Sequence, residues 1–148
     1  MTRIRRILFA TDFSKASTKA FETAVSLAKS NRATLTILHV MAPFTPIMPE
    51  QYIGTQTWEE IDLQGHEWTK RELAKLTTKA TKAGIRTAEL VAEGEPAKQI
   101  VRAARSKKAD LVVVGTHGRT GFTKFFLGSV AARVVATAQC PVVTVRGT

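Results

Sequence analysis

Five short apolar runs, most of them rich in β-branched residues, recur along the chain, and stretches with apolar positions at helical spacing separate them. Arg5 to Thr11 (RRILFAT) and Thr34 to Met41 (TLTILHVM) read as buried strands, as do Arg86 to Ala92, Leu111 to Val114 and Pro141 to Arg146. Between them, Ser17 to Ser30 repeats Ala20, Phe21, Ala24, Val25, Leu27 and Ala28 at the spacing of an amphipathic helix. Glu67 to Ala83 turns Trp68, Leu73, Leu76 and Ala80 inward and meets a capping glycine at Gly84. A third helix starts near Pro96, where a missing N–H costs nothing, and runs to about Lys107; a fourth covers Ser129 to Ala138. Each crossover helix returns the chain to begin another strand in the same direction. The alternation therefore specifies an α/β fold with a parallel sheet.

The 148 residues suit one compact domain, 1–148, with a core of its own. Pro43 to Gly65 holds three prolines, scattered aromatics and little periodicity, so it reads as a long lid-like loop at about 43–65. No apolar run approaches the roughly 20 residues that cross a bilayer, and the N-terminal arginines lead straight into a strand. The expectation is a cytoplasmic protein with no membrane partner. The single cysteine, Cys140, sits beside apolar residues and reads as a buried structural thiol.

A formal net charge of +10 favours anionic partners. The basic residues are scattered along the sequence: Arg3, Arg5 and Arg6, then Lys70 to Lys82, Arg102 to Lys108, and Arg119 with Lys124. In the helical segments they share the polar face with Glu67 and Glu72, as solvated charges do. No nucleic-acid reading motif accompanies them, so the sequence does not point to a nucleic-acid partner.

The chemistry concentrates in the turns. In open parallel sheets, ligands bind beyond the carboxyl ends of the strands where the strand order reverses. If strands one and four flank that reversal, the turn Ala10 to Ser14 (ATDFS) faces the turn Gly115 to Gly118 (GTHG) across one crevice. Gly115 and Gly118 let backbone amides approach a ligand and offer positive φ for an anion-holding turn. Gly128-Ser129 opens the last helix, whose free N–H groups and positive dipole end receive phosphate; Arg119 and Lys124 add charge to the same loop. Taken alone, the same glycines serve equally as a tight turn, and Ser129 or Asp12 as a helix cap. Neither GxxxxGK followed by Ser or Thr nor GxGxxG is present.

Gly115-x-x-Gly118, nine residues, then Gly128-Ser129 resembles the G-2x-G-9x-G-(S/T) signature of the ATP-binding branch of the universal stress protein family. Ala10 to Asp12 after the first strand, His39-Val40 closing the second, and Gly94 to Pro96 before the third helix are similar to that family too. The resemblance implies a Rossmann-like, adenine nucleotide alpha hydrolase-like fold: five parallel strands in the order 3-2-1-4-5 with helices on both faces. It implies that Asp12 bonds the ribose, that Val40 meets the adenine, and that Ala10 and Thr11 wall the base and sugar. Val114, Gly115, His117, Gly118, Gly128, Ser129, Val130 and Ala131 are implied to hold ribose and phosphates. It further implies a homodimer through the last strand, 141–146, whose exposed edge needs cover in any case.

In function, the resemblance implies an ATP-binding stress-response and signalling module, with Mg2+ arriving on the phosphates and unnamed proteins as partners. Two alternatives share the same turns: a slow ATPase or phosphotransfer enzyme, and an interaction protein that binds no nucleotide. No acid–base pair and no Ser-His-Asp arrangement is visible, so catalytic residues are not assigned. His39 reads as a hydrogen-bonded core histidine, and with His66 far from it no metal-ligand cluster emerges. Trp58 and Trp68 read as packing residues around the start of the long helix.

Overall fold

The computed structural model describes residues 3–42, 57–117 and 127–147. The elements run in the order β1 (Arg6–Thr11), α1 (Ser17–Asn31), β2 (Thr34–Met41), α2 (Trp58–Lys82), β3 (Thr87–Glu93), α3 (Pro96–Ser106), β4 (Leu111–Gly115), α4 (Ser129–Thr137) and β5 (Val142–Val145). The five strands form one parallel sheet in the order β3-β2-β1-β4-β5. β1 pairs with β2 from Arg6 opposite Thr34 to Thr11 opposite His39, and with β4 from Ile7 opposite Leu111 to Phe9 opposite Val113.

Alternation along the central strands builds two apolar layers. Ile7 and Phe9 of β1 face α1 and α2, joining Phe21, Ala24, Leu35, Ile37, Leu73 and Val113 in one cluster. Leu8 points the other way and meets Leu38, Ile100, Ala104, Val112 and Val134 against α3 and α4. Both faces of β1 are sealed, which is why its residues read as an unbroken apolar run.

One sequence expectation is corrected. The long helix begins at Trp58, nine residues before the Glu67 that periodicity suggests, so the stretch up to Gly65 is helical and not loop. Its start is a capping box: the Thr57 hydroxyl accepts from the Glu60 N–H at 3.2 Å, and the Glu60 carboxylate accepts from the Thr57 N–H at 3.4 Å. Leu63 in this first part is 59% exposed, while Trp58, Ile61, Gly65 and His66 are half-buried along the other side, so this part of the helix has only a shallow inner face beside its cap. The rest of the lid-like segment, 43–56, lies outside the described residues. At the far end Gly84 takes φ +87°, and its N–H bonds the Thr81 carbonyl while the Ile85 N–H reaches Ala80. That left-handed residue closes the helix as its sequence position implies. Trp68 is 40% exposed and not fully turned inward. Cys140 is only partly buried at the border of the second cluster, and its thiol is pushed up by burial and by the Asp110 carboxylate.

Asp110 staples the sheet at the end where its strands begin. Its carboxylate accepts the backbone N–H of Arg5 at 2.8 Å and of Arg6 at 2.9 Å. The Arg5 N–H above all holds the carboxyl below the usual carboxylate range, with the Arg6 N–H and both arginine charges adding to it against an opposing effect of burial. A carboxylate with a lowered folded pKa stabilises the fold above its unfolded pKa, near 3.9, and loses that contribution as pH falls through the folded value. Asp110→Asn should therefore cost about 1 kcal/mol at pH 7. In denaturant titrations the gap to wild type should close as pH is lowered from about 4. A gap unchanged at pH 2 would dismiss the staple.

Candidate functional site

The turn after β1 is built from its own side chains. The Thr11 hydroxyl accepts the Phe13 N–H at 3.0 Å and donates to Ser17 Oγ at 3.0 Å; Ser17 in turn donates to the Ser14 carbonyl at 2.9 Å. Asp12 Oδ1 accepts the Ser14 N–H at 2.9 Å, an Asx turn. Asp12 is not the cap of α1, whose N-cap is Ala16 and makes no side-chain cap bond. Phe13 adopts φ +61°, a left-handed backbone that a bulky side chain adopts only when held. Two rings hold it: His39 lies with its centroid 4.4 Å away, and Trp68 meets it edge-on at 5.3 Å. His39 Nδ1–H donates to the Thr11 carbonyl at 2.8 Å, which fixes the ring to the same turn. His39 is thus the hydrogen-bonded strand histidine that its sequence context suggests.

Across the strand-order reversal, β4 ends at Gly115 opposite Val145. Gly115 is not among the left-handed residues, so its expected positive φ is not adopted. The chain continues through buried Thr116, whose N–H donates to the Val145 carbonyl at 2.9 Å and whose carbonyl accepts the Gly128 N–H at 2.6 Å. That pair of bonds seats the start of α4 against the end of β4. A Cβ on Gly128 would come within 2.7 Å of the same Thr116 oxygen, so glycine is required there by close approach. The first bond of α4 runs from the Ala132 N–H to the Gly128 carbonyl at 2.9 Å, leaving the N–H groups of Ser129, Val130 and Ala131 without an intrahelical acceptor. No side chain among the described residues caps this helix. Beside it, His117 Nδ1 meets the Thr116 hydroxyl at 2.9 Å, while buried Nε2 finds no partner among the described residues.

These pieces line one cleft of about 280 Å³ at the carboxyl ends of β1 and β4. The β2 side is apolar, with Val40, Pro96 and Ile100; the β4 side carries Val114, Gly115, Thr116, His117 and the first residues of α4. Ala10, Thr11, Asp12 and Ser17 form the floor between them. Eleven of the thirteen residues anticipated from the sequence meet in this cleft, while Gly118 and Arg119 lie outside the described residues. The sequence reading missed Ser17, Pro96, Ile100 and Thr116. Pro96 and Ile100 are four apart on one face of α3, a spacing that registers as core, and Thr116 is an unspecified position inside the glycine motif. Asp12 and His117 are the titratable side chains in this lining, and no cluster of three metal-ligating groups exists among the described residues.

The topology, the reversal between β1 and β4 and the start of α4 at the cleft define a doubly wound domain with a crevice at its strand-order reversal. The family model of the universal stress protein family matches residues 3–146, and the chain belongs to that family. A universal stress protein of Methanocaldococcus jannaschii is 36% identical over 144 residues, spanning 96% of this chain and 82% of that one. YxiE, a universal stress protein of Bacillus subtilis, is 35% identical across 95% of this chain and 98% of its own length. Among solved structures, the universal stress protein UspA from Lactobacillus plantarum superposes with a TM-score of 0.79 at 26% identity, covering 99% of this chain and 100% of that one. A universal stress protein solved in complex with cAMP gives 0.74 at 25% identity, with the same coverage of both chains.

Proposed function

We propose that the cleft binds an adenine nucleotide, ATP, and that the protein acts as a nucleotide-dependent stress-response module, not as a turnover enzyme. The observation that carries this reading is the pairing of an apolar slot with helix N–H groups that have no intrahelical acceptor, at one strand-order reversal. An adenine ring is apolar on both faces and suits Val40, Pro96 and Ile100, with Ala10 and Thr11 walling base and sugar. Asp12 stands between the two sides and bonds the ribose. Val114, Gly115, Gly128, Ser129, Val130 and Ala131 surround ribose and phosphates, and the α4 N-terminus supplies amide donors and the positive end of its dipole. The buried His117 Nε2, without a partner among the described residues, adds a polar group to the same side. Gly118 and Arg119 complete the phosphate loop in this reading. Mg2+ comes with the nucleotide, held by phosphate and water. The cAMP complex of a related protein supports the ligand class. The module works in the cytoplasm as a homodimer through the edge of β5, signalling to protein partners.

Denaturing the purified protein and identifying what it releases by chromatography tests the ligand, and ATP titrated by calorimetry into the emptied protein measures the affinity. Stoichiometric binding without phosphate release over hours is the expected result. No released nucleotide together with no heat sinks the proposal. Asp12→Asn keeps an oxygen for the Ser14 N–H but removes the charge, and should weaken ATP about tenfold with the melting temperature unchanged. Undiminished affinity in this variant removes Asp12 from the ribose.

A further inference from the structure

The charge that looks scattered in the sequence is gathered by the fold. In a parallel sheet with crossover helices, strand starts and helix ends meet at one end of the domain. Here that end holds Arg3, Arg5 and Arg6 around the start of β1, Lys29 and Arg32 at the end of α1, Lys82 and Arg86 between α2 and β3, and Arg105, Lys107 and Lys108 at the end of α3. Backbone bonds knit these segments together: Thr34 N–H to Arg5, Leu35 N–H to Arg86, and Asp110 N–H to Arg6, with Arg6 Nε–H reaching the Lys108 carbonyl at 3.1 Å. All ten basic residues are exposed. Among the described residues the one carboxylate at this end is Asp110, already engaged by two backbone amides. Ten of the chain's 22 basic residues thus stand against one of its 12 acidic ones, leaving twelve against eleven for the remainder of the sequence. Nearly the whole net charge of +10 belongs to one end.

We infer that this end is a docking surface for the phosphate backbone of double-stranded nucleic acid, bound without regard to sequence. Sequence-independent binding needs no reading motif; it needs clustered cations that displace condensed counterions, and a duplex presents about one charge per 1.7 Å of its axis. Three stacked layers of roughly 10 Å each give the end a span near 30 Å, which covers close to nine base pairs. Six of the ten cations are arginines, whose planar forks pair with phosphate oxygens. A lipid surface fits less well: among the described residues, the exposed large apolar side chain in this half is Val135 alone, whereas an interfacial anchor needs an apolar face. A single strand fits less well too, since no described exposed aromatic lies here to stack on bases. The surface lies at the opposite end of the strands from the cleft, some 20 Å away along six residues of β1, so it stands independently of the nucleotide reading.

The test is fluorescence anisotropy of a labelled mixed-sequence 20-base-pair duplex with the full chain, between about 50 and 200 mM salt. About five phosphate contacts predict a slope of log affinity against log salt near −4 to −5. Lys107→Glu with Lys108→Glu should weaken binding about 30-fold or more at 100 mM salt and flatten the slope by about 2. Lys70→Glu with Arg71→Glu, the same charge change in the middle of α2, should weaken it less than about threefold. Thermal melts establish that both variants fold. Equal losses in the two variants would assign the binding to net charge and overturn the surface. No binding at 50 mM salt would overturn it as well, as would tight binding to phosphatidylserine vesicles with none to the duplex.

Discussion

Gly128→Ala should lower the affinity for ATP by about a hundredfold and cost about 2 kcal/mol of stability. The reason is local. The Gly128 N–H donates to the Thr116 carbonyl at 2.6 Å, and an added Cβ would stand 2.7 Å from that same oxygen, closer than such atoms approach in folded chains. The oxygen belongs to the backbone between β4 and His117, anchored on its other side by the Thr116 N–H bond to Val145, so it cannot swing aside as a flexible side chain would. The start of α4 must retreat instead, taking with it the N–H groups of Ser129, Val130 and Ala131 that face the cleft. Since those amides receive the phosphates in the proposed function, a shift of a few tenths of an ångström degrades several bonds at once. Calorimetry on Gly128→Ala, beside a thermal melt, separates the two effects. A folded variant with wild-type affinity would mean that the helix start does not hold the ligand.

Of the glycine–serine signature, Gly128 is the position where close approach demands glycine, whereas a Cβ on Gly115 would meet nothing nearer than 3.4 Å and Gly118 lies outside the described residues. The parallel sheet was legible because its central strands are sealed on both faces and cannot alternate polar with apolar. Three features were not. The capping box at Thr57 and Glu60 is a short polar signal in front of a segment whose inward positions are only half-buried, so periodicity does not register it. Phe13 looks like an ordinary turn residue until His39 and Trp68, 26 and 55 positions further on, close around it. Charge placement is the hardest to read: Arg5, Lys29, Arg86 and Lys107 are remote in sequence, and only the rule that strand starts meet helix ends makes them neighbours. The Phe13 clamp and the basic end are assembled from residues remote in the chain, so no local pattern announces either.

Thr11→Val keeps the shape of a side chain that is 6% exposed and removes the hydroxyl on which the β1 turn hangs. Two partners lose their counterpart: the Phe13 N–H, which the hydroxyl accepts, and Ser17 Oγ, to which it donates. An orphaned buried partner costs about 1–3 kcal/mol, so the variant should lose about 3 kcal/mol in all. For a domain of this size that lowers the melting temperature by roughly 10 °C. The loss should also reach the ligand. Phe13 keeps its positive φ because the Thr11 hydroxyl fixes its N–H while His39 and Trp68 fix its ring, and Asp12 sits between Thr11 and Phe13. Once the N–H is released, Phe13 relaxes toward an ordinary backbone and Asp12 turns away from the cleft, weakening ATP about tenfold at temperatures where the protein remains folded. Thr11→Ser provides the control, since it keeps the hydroxyl and gives up only a methyl group; it should retain most of the stability and nearly all of the affinity. If valine proves as stable as threonine, the hydroxyl relay does not hold the turn, and ring packing alone must account for the strained Phe13.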